Sequence, residues 1–366
     1  MSAQRASGAH AEETIAQVKR YYGEVLSSSA DLKTSACCSA EALPAHVRPL
    51  IEELHPEVIE RFYGCGSPFP VALAGRVALD LGCGAGRDVY LLSRLVGEQG
   101  RVIGVDMTPE QLAVARAHQE HHRARFGYER SNVTLLEGYI EDLAGAGVEE
   151  GSVDLVVSNC VTNLSPNKPL LFAQVWRALK EGGELYFSDV FADRRLPPAL
   201  AQDPVLLGEC LGAAMYVEDF RRLMSSLGCA DVRRVSTAPI EITDPALARE
   251  VGAARFYSIT FRAFKLPLED RCEDYGQVAV YRGTIPESPT QFILDDHHTF
   301  EAHRPALVCR NTADMLSKTS YAPHFTIYGD AEHHLGLFDC GEGAAGAAGG
   351  AGGAGGAGGC EGGACC

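Results

Sequence analysis

One stretch of the chain, residues 77–88, constrains the fold more than any other. It reads VALDLGCGAGRD, so a short apolar run with one acid precedes three alternate glycines. Such a run is typical of a strand covered on both faces. Glycines lack a Cβ and let the backbone turn tightly beside a ligand, and the following helix presents its first N–H groups there. The stretch predicts a strand, a binding turn formed by Gly82, Gly84 and Gly86, and a helix over residues 88–95.

Acidic side chains at predicted strand ends favour one class of ligand at this turn. Asp80 stands two residues before the first glycine, where a carboxylate repels a pyrophosphate and attracts a cationic amino-acid group. Asp106 ends a second predicted strand, the position from which an acid binds ribose hydroxyls. A third predicted strand leads to Ile140 and Glu141, an apolar wall and an acid for an adenine. A turn used only for packing does not explain these acids, so we expect S-adenosylmethionine rather than NAD.

The wider pattern alternates strands and helices, and it predicts the fold class. Core strands are predicted at residues 77–81, 102–106, 133–136, 153–158 and 184–189, with helices at 109–122 and 168–179. This alternation predicts an α/β fold with a Rossmann-like, doubly wound parallel sheet and ligands at the carboxyl ends of the strands. Further helices are predicted at 14–26, 44–54, 57–62 and 217–227, and further strands at 232–235 and 256–264.

Changes in composition divide the chain into five predicted segments. These are a disordered N-terminus at 1–13, a cofactor-binding domain at 14–205, a substrate-binding region at 206–265, a small C-terminal domain at 266–340 and a flexible Gly/Ala tail at 341–366. Short strands are predicted in the small domain at 277–281, 292–294 and 325–328. The tail carries Cys360, Cys365 and Cys366, and it is either a dispensable extension or an additional thiol donor or metalloid acceptor.

Charge, hydropathy and cysteine content exclude several classes of protein. The formal net charge is −16 and no basic stripe occurs, so we expect no nucleic-acid partner. The sequence has no long apolar run and no apolar leader, so we expect a cytoplasmic protein without a membrane partner. In such a compartment, 13 cysteines indicate thiol chemistry, redox cycling or soft-metal binding rather than a disulfide framework.

Several cysteines stand at positions that suit a binding site. Cys160 follows the fourth core strand, so it is expected beside the cofactor unless it is a buried structural cysteine. Cys65 and Cys210 have glycine neighbours that suit a reachable or movable thiol, and Cys37 and Cys38 lie in a polar segment. No C-x-x-C pair occurs, which leaves a zinc ribbon unsupported. Thiols from separate loops form instead a soft site suited to a trivalent thiophilic ion.

The segments that carry these cysteines resemble the arsenite S-adenosylmethionine methyltransferase family over about residues 14–340. The matching segments are DLKTSAC at 31–37, YGCG at 63–66, LDLGCGAGRD at 79–88, GVDMT at 104–108, VSNCV at 157–161, GELYFSDV at 183–190 and LGECLG at 207–212. The resemblance implies that Cys160 and Cys210 bind arsenic(III) as thiolates and that Cys65 is the third ligand and a redox partner. It implies that Cys37 pairs with Cys65, although the adjacent Cys38 is an alternative.

The resemblance also implies the cofactor contacts and the reaction. The implied contacts are Tyr63, Gly82, Gly84, Asp106, Met107, Ile140, Glu141, Asn159 and Val161, to which the residue pattern adds Asp80 and Gly86. We expect methylation of arsenite and methylarsenite as thiol complexes, in arsenic detoxification, by a monomer that uses glutathione or thioredoxin as reductant. Two alternatives are a methyltransferase for a small organic acceptor and a thiol protein that sequesters metalloids. A methyltransferase for an organic acceptor would not need the set of loop cysteines. A sequestering protein would not need the cofactor loop.

Overall fold

A central sheet organises the computed structural model, which describes residues 15, 16, 18, 19, 43–64 and 66–339. Its strands are β1 (Val77–Leu81), β2 (Arg101–Asp106), β3 (Val133–Glu137), β4 (Val153–Asn159), β5 (Leu179–Ala192), β6 (Met215–Tyr216), β7 (Val232–Ile240) and β8 (Phe256–Phe264). The spatial order is β3-β2-β1-β4-β5-β8-β7, and β6 pairs with β5. Strands β1 to β6 pair in parallel, whereas β8 runs antiparallel to both β5 and β7. The predicted α/β class and the five core strands are confirmed.

Helices cover both faces of this sheet. They are α1 (Pro56–Glu60), α2 (Arg87–Val96), α3 (Pro109–Ala117), α4 (Gln119–Phe126), α5 (Leu143–Ala146), α6 (Lys168–Ala178), α7 (Pro204–Gly208), α8 (Val217–Ser226) and α9 (Pro245–Val251). Side chains in β1 alternate between the two layers: Leu79 and Leu81 pack with Phe172 of α6, and Ala78 packs with Val89 of α2. The short apolar run of β1 is therefore buried on both sides, as predicted. None of the helices in the described ranges is both long and apolar enough to cross a lipid bilayer.

Two helices differ from their predictions: one is divided into two, and the other is a 3-10 helix. The single helix expected at 109–122 is divided at His118, whose N–H donates to the Ala115 carbonyl, a spacing of three residues rather than four. The helix expected at 44–54 is a turn followed by a 3-10 helix at Arg48–Glu53. A helix over 44–54 would place Pro49 in its interior, where proline has no N–H for the hydrogen bond to residue 45. In the structure Pro49 lies in the first turn of the 3-10 helix, where that N–H is not needed. Of the helix expected at 14–26, the described residues 15, 16, 18 and 19 are helical.

The small C-terminal region has its own apolar core and its own strands. Its elements are β9 (Glu273–Asp274), β10 (Gln277–Tyr281), β11 (Gln291–Ile293), β12 (Thr299–Glu301), β13 (Pro305–Val308), α10 (Arg310–Ser317), β14 (Phe325–Tyr328) and β15 (Gly336–Leu337). Buried polar contacts join it to the central sheet. Glu184 on β5 accepts a hydrogen bond from Tyr321 at 3.0 Å, and Arg233 on β7 pairs with Asp295 at 3.0 Å.

Candidate active site

A cleft opens where the parallel strands end, and it encloses about 1260 Å³ with its mouth included. All the residues predicted to bind the cofactor line it, together with two of the predicted arsenic ligands. These lining residues are Tyr63, Asp80, Gly82, Gly84, Gly86, Asp106, Met107, Ile140, Glu141, Asn159, Cys160, Val161 and Cys210. The remaining predicted site cysteines, Cys37 and Cys65, lie outside the described residues.

The glycine turn after β1 has a backbone that only glycine adopts without strain. Gly82, Gly84 and Gly86 have φ angles of 65°, 51° and 94°. A Cβ on Gly82 would lie 2.6 Å from the Val161 methyl groups, so the turn also packs closely against the segment after β4. This contact places the turn and the Cys160 segment side by side.

Asp80 shows how the cleft fits a cationic ligand group. Its side chain is buried, and its Oδ2 atom accepts no hydrogen bond from the described residues. Burial raises the pKa of Asp80 well above its usual range, and the carboxylates of Asp88 and Asp106 raise it further while Arg87 opposes them. A buried acceptor without a donor is costly unless a ligand supplies one. The amino group of S-adenosylmethionine is a donor of the required charge.

Asp106 holds the glycine turn as well as facing the cleft. Its Oδ2 accepts a hydrogen bond from the Gly84 N–H at 2.8 Å, and its Oδ1 accepts one from the Thr108 N–H at 2.8 Å. Burial raises the pKa of Asp106, and these two backbone donors oppose that rise. Each carboxylate oxygen has a second lone pair. The side chain can therefore keep the turn in place and still accept from ribose hydroxyls.

Asn159 connects the start of α2 to the chain beside Cys65. Its Oδ1 accepts from the Gly66 N–H at 3.0 Å, and its Nδ2 donates to the Gly66 carbonyl at 2.8 Å. The same Nδ2 donates to Asp88 Oδ2 at 3.0 Å. A Cβ on Gly64 would lie 2.8 Å from the Asn159 side chain, and one on Gly66 would overlap Ser188. Asn159 and the two glycines therefore bring residues 64 and 66 against the ends of β4 and β5.

Cys160 and Cys210 share a strained backbone and a direct contact. Their φ angles are 57° and 60°, in the left-handed region that non-glycine residues rarely adopt. The buried Cys210 thiol donates to the Cys160 carbonyl at 3.2 Å. Strain of this kind persists where surrounding structure imposes it, often at ligand-binding sites. Both cysteines therefore point to a functional site rather than to simple core packing.

Two residues beside this pair were not identified from the sequence. Asp189, at the carboxyl-terminal part of β5, places a carboxylate oxygen within 4.8 Å of the ligand atoms of Cys160 and Cys210. Burial raises its pKa, whereas hydrogen bonds from Thr162, Val190 and Asn163 lower it. The rule that parallel strands end at the ligand site would have identified Asp189.

Lys168 is the second residue that the sequence did not indicate. Its Nζ donates to the carbonyls of Asn163 and Ser165 at 3.2 and 3.3 Å. Burial lowers its pKa, and the charges of Asp189, Cys210 and Glu141 oppose that change. Lys168 thus places a cation near the Cys210 sulfur, but its position at the start of α6 carries no sequence signal for this role.

The oxidation state of the cysteines in the cleft determines whether they can bind a metalloid. Cys160 is disulfide-bonded. Cys210 carries a thiol, as do the buried Cys83, Cys229 and Cys309. In this form Cys160 cannot coordinate a metalloid, so reduction must come before binding.

Comparisons with known proteins identify relatives of this chain. A family described as a methyltransferase domain matches residues 73–228. An arsenite methyltransferase of Aquipseudomonas alcaligenes is 55% identical over 328 residues, which cover 89% of this chain and 94% of that protein. An arsenite methyltransferase of Mus musculus is 42% identical over 321 residues, covering 87% of this chain and 85% of that protein.

A solved structure extends the similarity to three dimensions. The crystal structure of an arsenic(III) S-adenosylmethionine methyltransferase from Chlamydomonas reinhardtii is 51% identical to this chain. The superposition has a TM-score of 0.78 and covers 81% of this chain and 99% of that one.

Proposed function

The chain belongs to the arsenite methyltransferase family, and from its cleft we infer how it transfers a methyl group from S-adenosylmethionine to trivalent arsenic. One observation supports this mechanism above the others. Cys160 and Cys210, two loop cysteines separated by 50 residues in sequence, meet in the cleft that the predicted cofactor residues line. Thiols gathered from separate loops form a soft site, which suits a thiophilic ion.

We propose that arsenic(III) arrives as arsenite or methylarsenite bound to small thiols. It exchanges those thiols for the sulfurs of Cys160, Cys210 and Cys65. The positions of Gly64 and Gly66 against Asn159 and Ser188 support a role for the intervening Cys65. The thiolate form is the ligand, so a cation such as Lys168 beside the site favours binding.

The cleft residues orient the two reactants. S-adenosylmethionine supplies an electrophilic methyl group on a sulfonium centre. Asp80 accepts a hydrogen bond from its amino group, Asp106 accepts from its ribose, and Ile140 and Glu141 contact its adenine. Holding the reacting atoms close and aligned supplies much of the acceleration of such a displacement. The arsenic lone pair carries no proton, so the mechanism uses no general base.

The redox part of the proposal concerns the cysteines. Methylation formally oxidises arsenic, and we propose that disulfide formation among Cys65, Cys37 or Cys38 and a third thiol returns the product to the trivalent state. The disulfide at Cys160 supports a redox role for sulfur in this cleft. Glutathione or thioredoxin then reduces the enzyme by thiol exchange. This requirement supports a reducing compartment such as the cytoplasm, where the reaction serves arsenic detoxification.

The test is methyl transfer from labelled S-adenosylmethionine to arsenite with excess thiol. We expect methylated arsenic from the wild type and none from Cys160→Ser or Cys210→Ser, with cofactor binding retained in both variants. Cys309→Ser is the matched control, because this buried thiol lies in the small C-terminal region and should leave turnover unchanged.

Other outcomes would select an alternative function. Variants as active as the wild type on an organic acceptor would indicate a small-molecule methyltransferase. Stoichiometric arsenic binding without consumption of the cofactor would indicate a sequestering protein.

A further inference from the structure

A group of histidines and one glutamate lies on the side of α1 that faces α3 and α4. We call His55, Glu57 and His118 the imidazole cluster. Each offers one metal-ligand atom, and these atoms all lie within 4.8 Å of one another. His118 Nε2 is 2.8 Å from Glu57 Oε2, and the His55 and His118 rings stack with centroids 3.6 Å apart. The His121 ring meets His55 edge-on at 5.2 Å.

The donors of this cluster suit a divalent ion of intermediate softness. Two imidazole nitrogens and one carboxylate oxygen form a common zinc-binding set, with a water or a further side chain as fourth ligand. The cluster contains no sulfur, so it differs in chemistry from the arsenic site, where thiolates select a softer ion.

The other comparable groups among the described residues are less suited to an ion. Asp295, Asp296 and His297 lie beside Arg233 and Arg234, which already pair with the two carboxylates. The residues Asp330, Glu332 and His333 are all exposed, and this group has one imidazole. The group of Cys160, Asp189 and Cys210 belongs to the arsenic site.

To bind one ion, the stacked His55 and His118 rings must turn so that a nitrogen of each faces it. The contacts that hold the cluster without an ion are weak enough to exchange for metal bonds. Glu57 Oε1 is 3.4 Å from Arg61 Nε, and both of these side chains are more than two-fifths exposed. The Glu57 N–H donates to His55 Nδ1 at 3.2 Å. Exposed ion pairs and single neutral hydrogen bonds each contribute little to stability. The Glu57 side chain is 41% exposed, so the cluster is open to solvent on that side.

We propose that His55, Glu57 and His118 bind one Zn²⁺ ion that links α1 to the junction of α3 and α4. The position of the cluster gives this link a consequence for the cofactor cleft. Val58, on α1, and Phe62, just beyond it, line that cleft. The bound ion therefore holds one wall of the cleft in place from behind, without contacting the reacting atoms.

The experiment uses the full chain, reduced and then treated with iodoacetamide so that accessible cysteines cannot bind zinc. Zinc retained after dialysis is counted, and its ligands are identified by X-ray absorption. We expect one equivalent with nitrogen and oxygen ligands at about 2.0–2.1 Å and no sulfur at about 2.3 Å. His118→Gln and Glu57→Gln should each weaken zinc binding at least about tenfold.

His333→Gln is the matched control, because it removes an exposed histidine from the other mixed His and carboxylate group and should leave zinc binding unchanged. Circular dichroism verifies that each variant is folded. Three results would overturn the proposal: no zinc retained by the alkylated wild type, sulfur in the ligand shell, or equal binding by His118→Gln and His333→Gln. None of these results depends on methyl transfer, so the proposal stands or fails separately from the arsenic mechanism.

Discussion

At the scale of single residues, the site depends on backbone conformations that its side chains do not favour. Cys160 and Cys210 both have positive φ angles, which cost an L-residue about 1–2 kcal/mol. Glycine would adopt the same conformations without that cost but would supply no sulfur. The chain therefore keeps cysteine at two positions where backbone energetics favour glycine, which indicates a chemical requirement for the thiols.

This strain is measurable by comparing two substitutions at one position. Cys210→Gly should be more stable than Cys210→Ala by about 1 kcal/mol, because only alanine retains the Cβ that opposes a positive φ. Urea unfolding under reducing conditions measures the difference. Cys229 is the control, since it is also buried but has no positive φ. At Cys229 the order should reverse, and the same order at both positions would show that strain does not explain the effect.

Gly66 shows a second requirement at the scale of residues: the backbone at this position lies too close to β5 for a side chain to fit. Its Cβ position is occupied by the Ser188 side chain, so Gly66→Ala should displace the segment beside Cys65 and reduce methyl transfer. The double variant Gly66→Ala with Ser188→Gly removes the overlap and should recover much of the lost activity. A steady-state assay of the single and double variants makes the comparison. Absence of recovery would mean that the packing of Gly66 against β5 is not what positions this segment.

At the scale of elements, helix caps position the chemistry. Asp203 accepts hydrogen bonds from the Val205 and Leu206 N–H groups at 2.8 Å and so caps α7, the short helix that leads into Cys210. The predicted core strands form the central sheet and the predicted helices pack on it. Both kinds of element were predictable because the apolar patterns of buried strands and amphipathic helices are local. The Asp203 cap is also encoded locally, by an Asp-Pro pair at the helix start, but it was not predicted.

The cap of α7 has a natural control in the same chain. Asp244 caps α9 through an equivalent Asp-Pro start, accepting from the Ala246 and Leu247 N–H groups at 2.7 and 3.2 Å. Asp203→Ala and Asp244→Ala should each lower stability by about 1 kcal/mol. Only Asp203→Ala should also weaken arsenic(III) binding, as measured by titration of the reduced protein. Equal arsenic(III) binding by both variants would show that the cap of α7 does not position Cys210 for binding.

At the scale of the whole molecule, a buried ionic network joins the small C-terminal region to the central sheet. Arg233 is fully buried and pairs with Asp231 at 2.7 Å and with Asp295 at 3.0 Å. Burial acts to raise the pKa of Asp295, but a hydrogen bond with His298 and the charge of Arg233 outweigh it and hold the pKa well below its usual range. The network is fully formed only while Asp295 is ionised.

Removing the charge of Asp295 should lower the stability of the whole molecule. Asp295→Asn should lower the free energy of unfolding at pH 7 by about 3 kcal/mol, because it leaves Arg233 buried with an incomplete set of charges. The depressed pKa stabilises the folded state above the unfolded value of about 3.9, and that stability is lost as the pH falls below it. The difference in free energy of unfolding between the variant and the wild type should therefore be smaller in acid than at pH 7. Denaturant unfolding at pH 7 and near pH 3 measures both effects.

The adjacent Asp296 is the control for this prediction. It pairs with Arg234, whose side chain is 41% exposed, so Asp296→Asn should cost less than about 1 kcal/mol. Similar losses for both variants would contradict a special role for the buried pair.

The residues alone were enough to predict the α/β class, the succession of core strands and helices along the chain, and the placement of Asp80, Asp106 and the glycine turn at the cleft. These features follow from local apolar periodicity and from the rule that parallel strands end at one edge of their sheet. That Cys160 and Cys210 share a site was implied by the family resemblance and not by any local pattern. Their direct contact, the placement of Asp189 and Lys168 beside them, and the contact of Glu57 with His118 appear only in the tertiary structure. Each brings together side chains from distant segments, and their contacts depend on packing and burial, which no local pattern records.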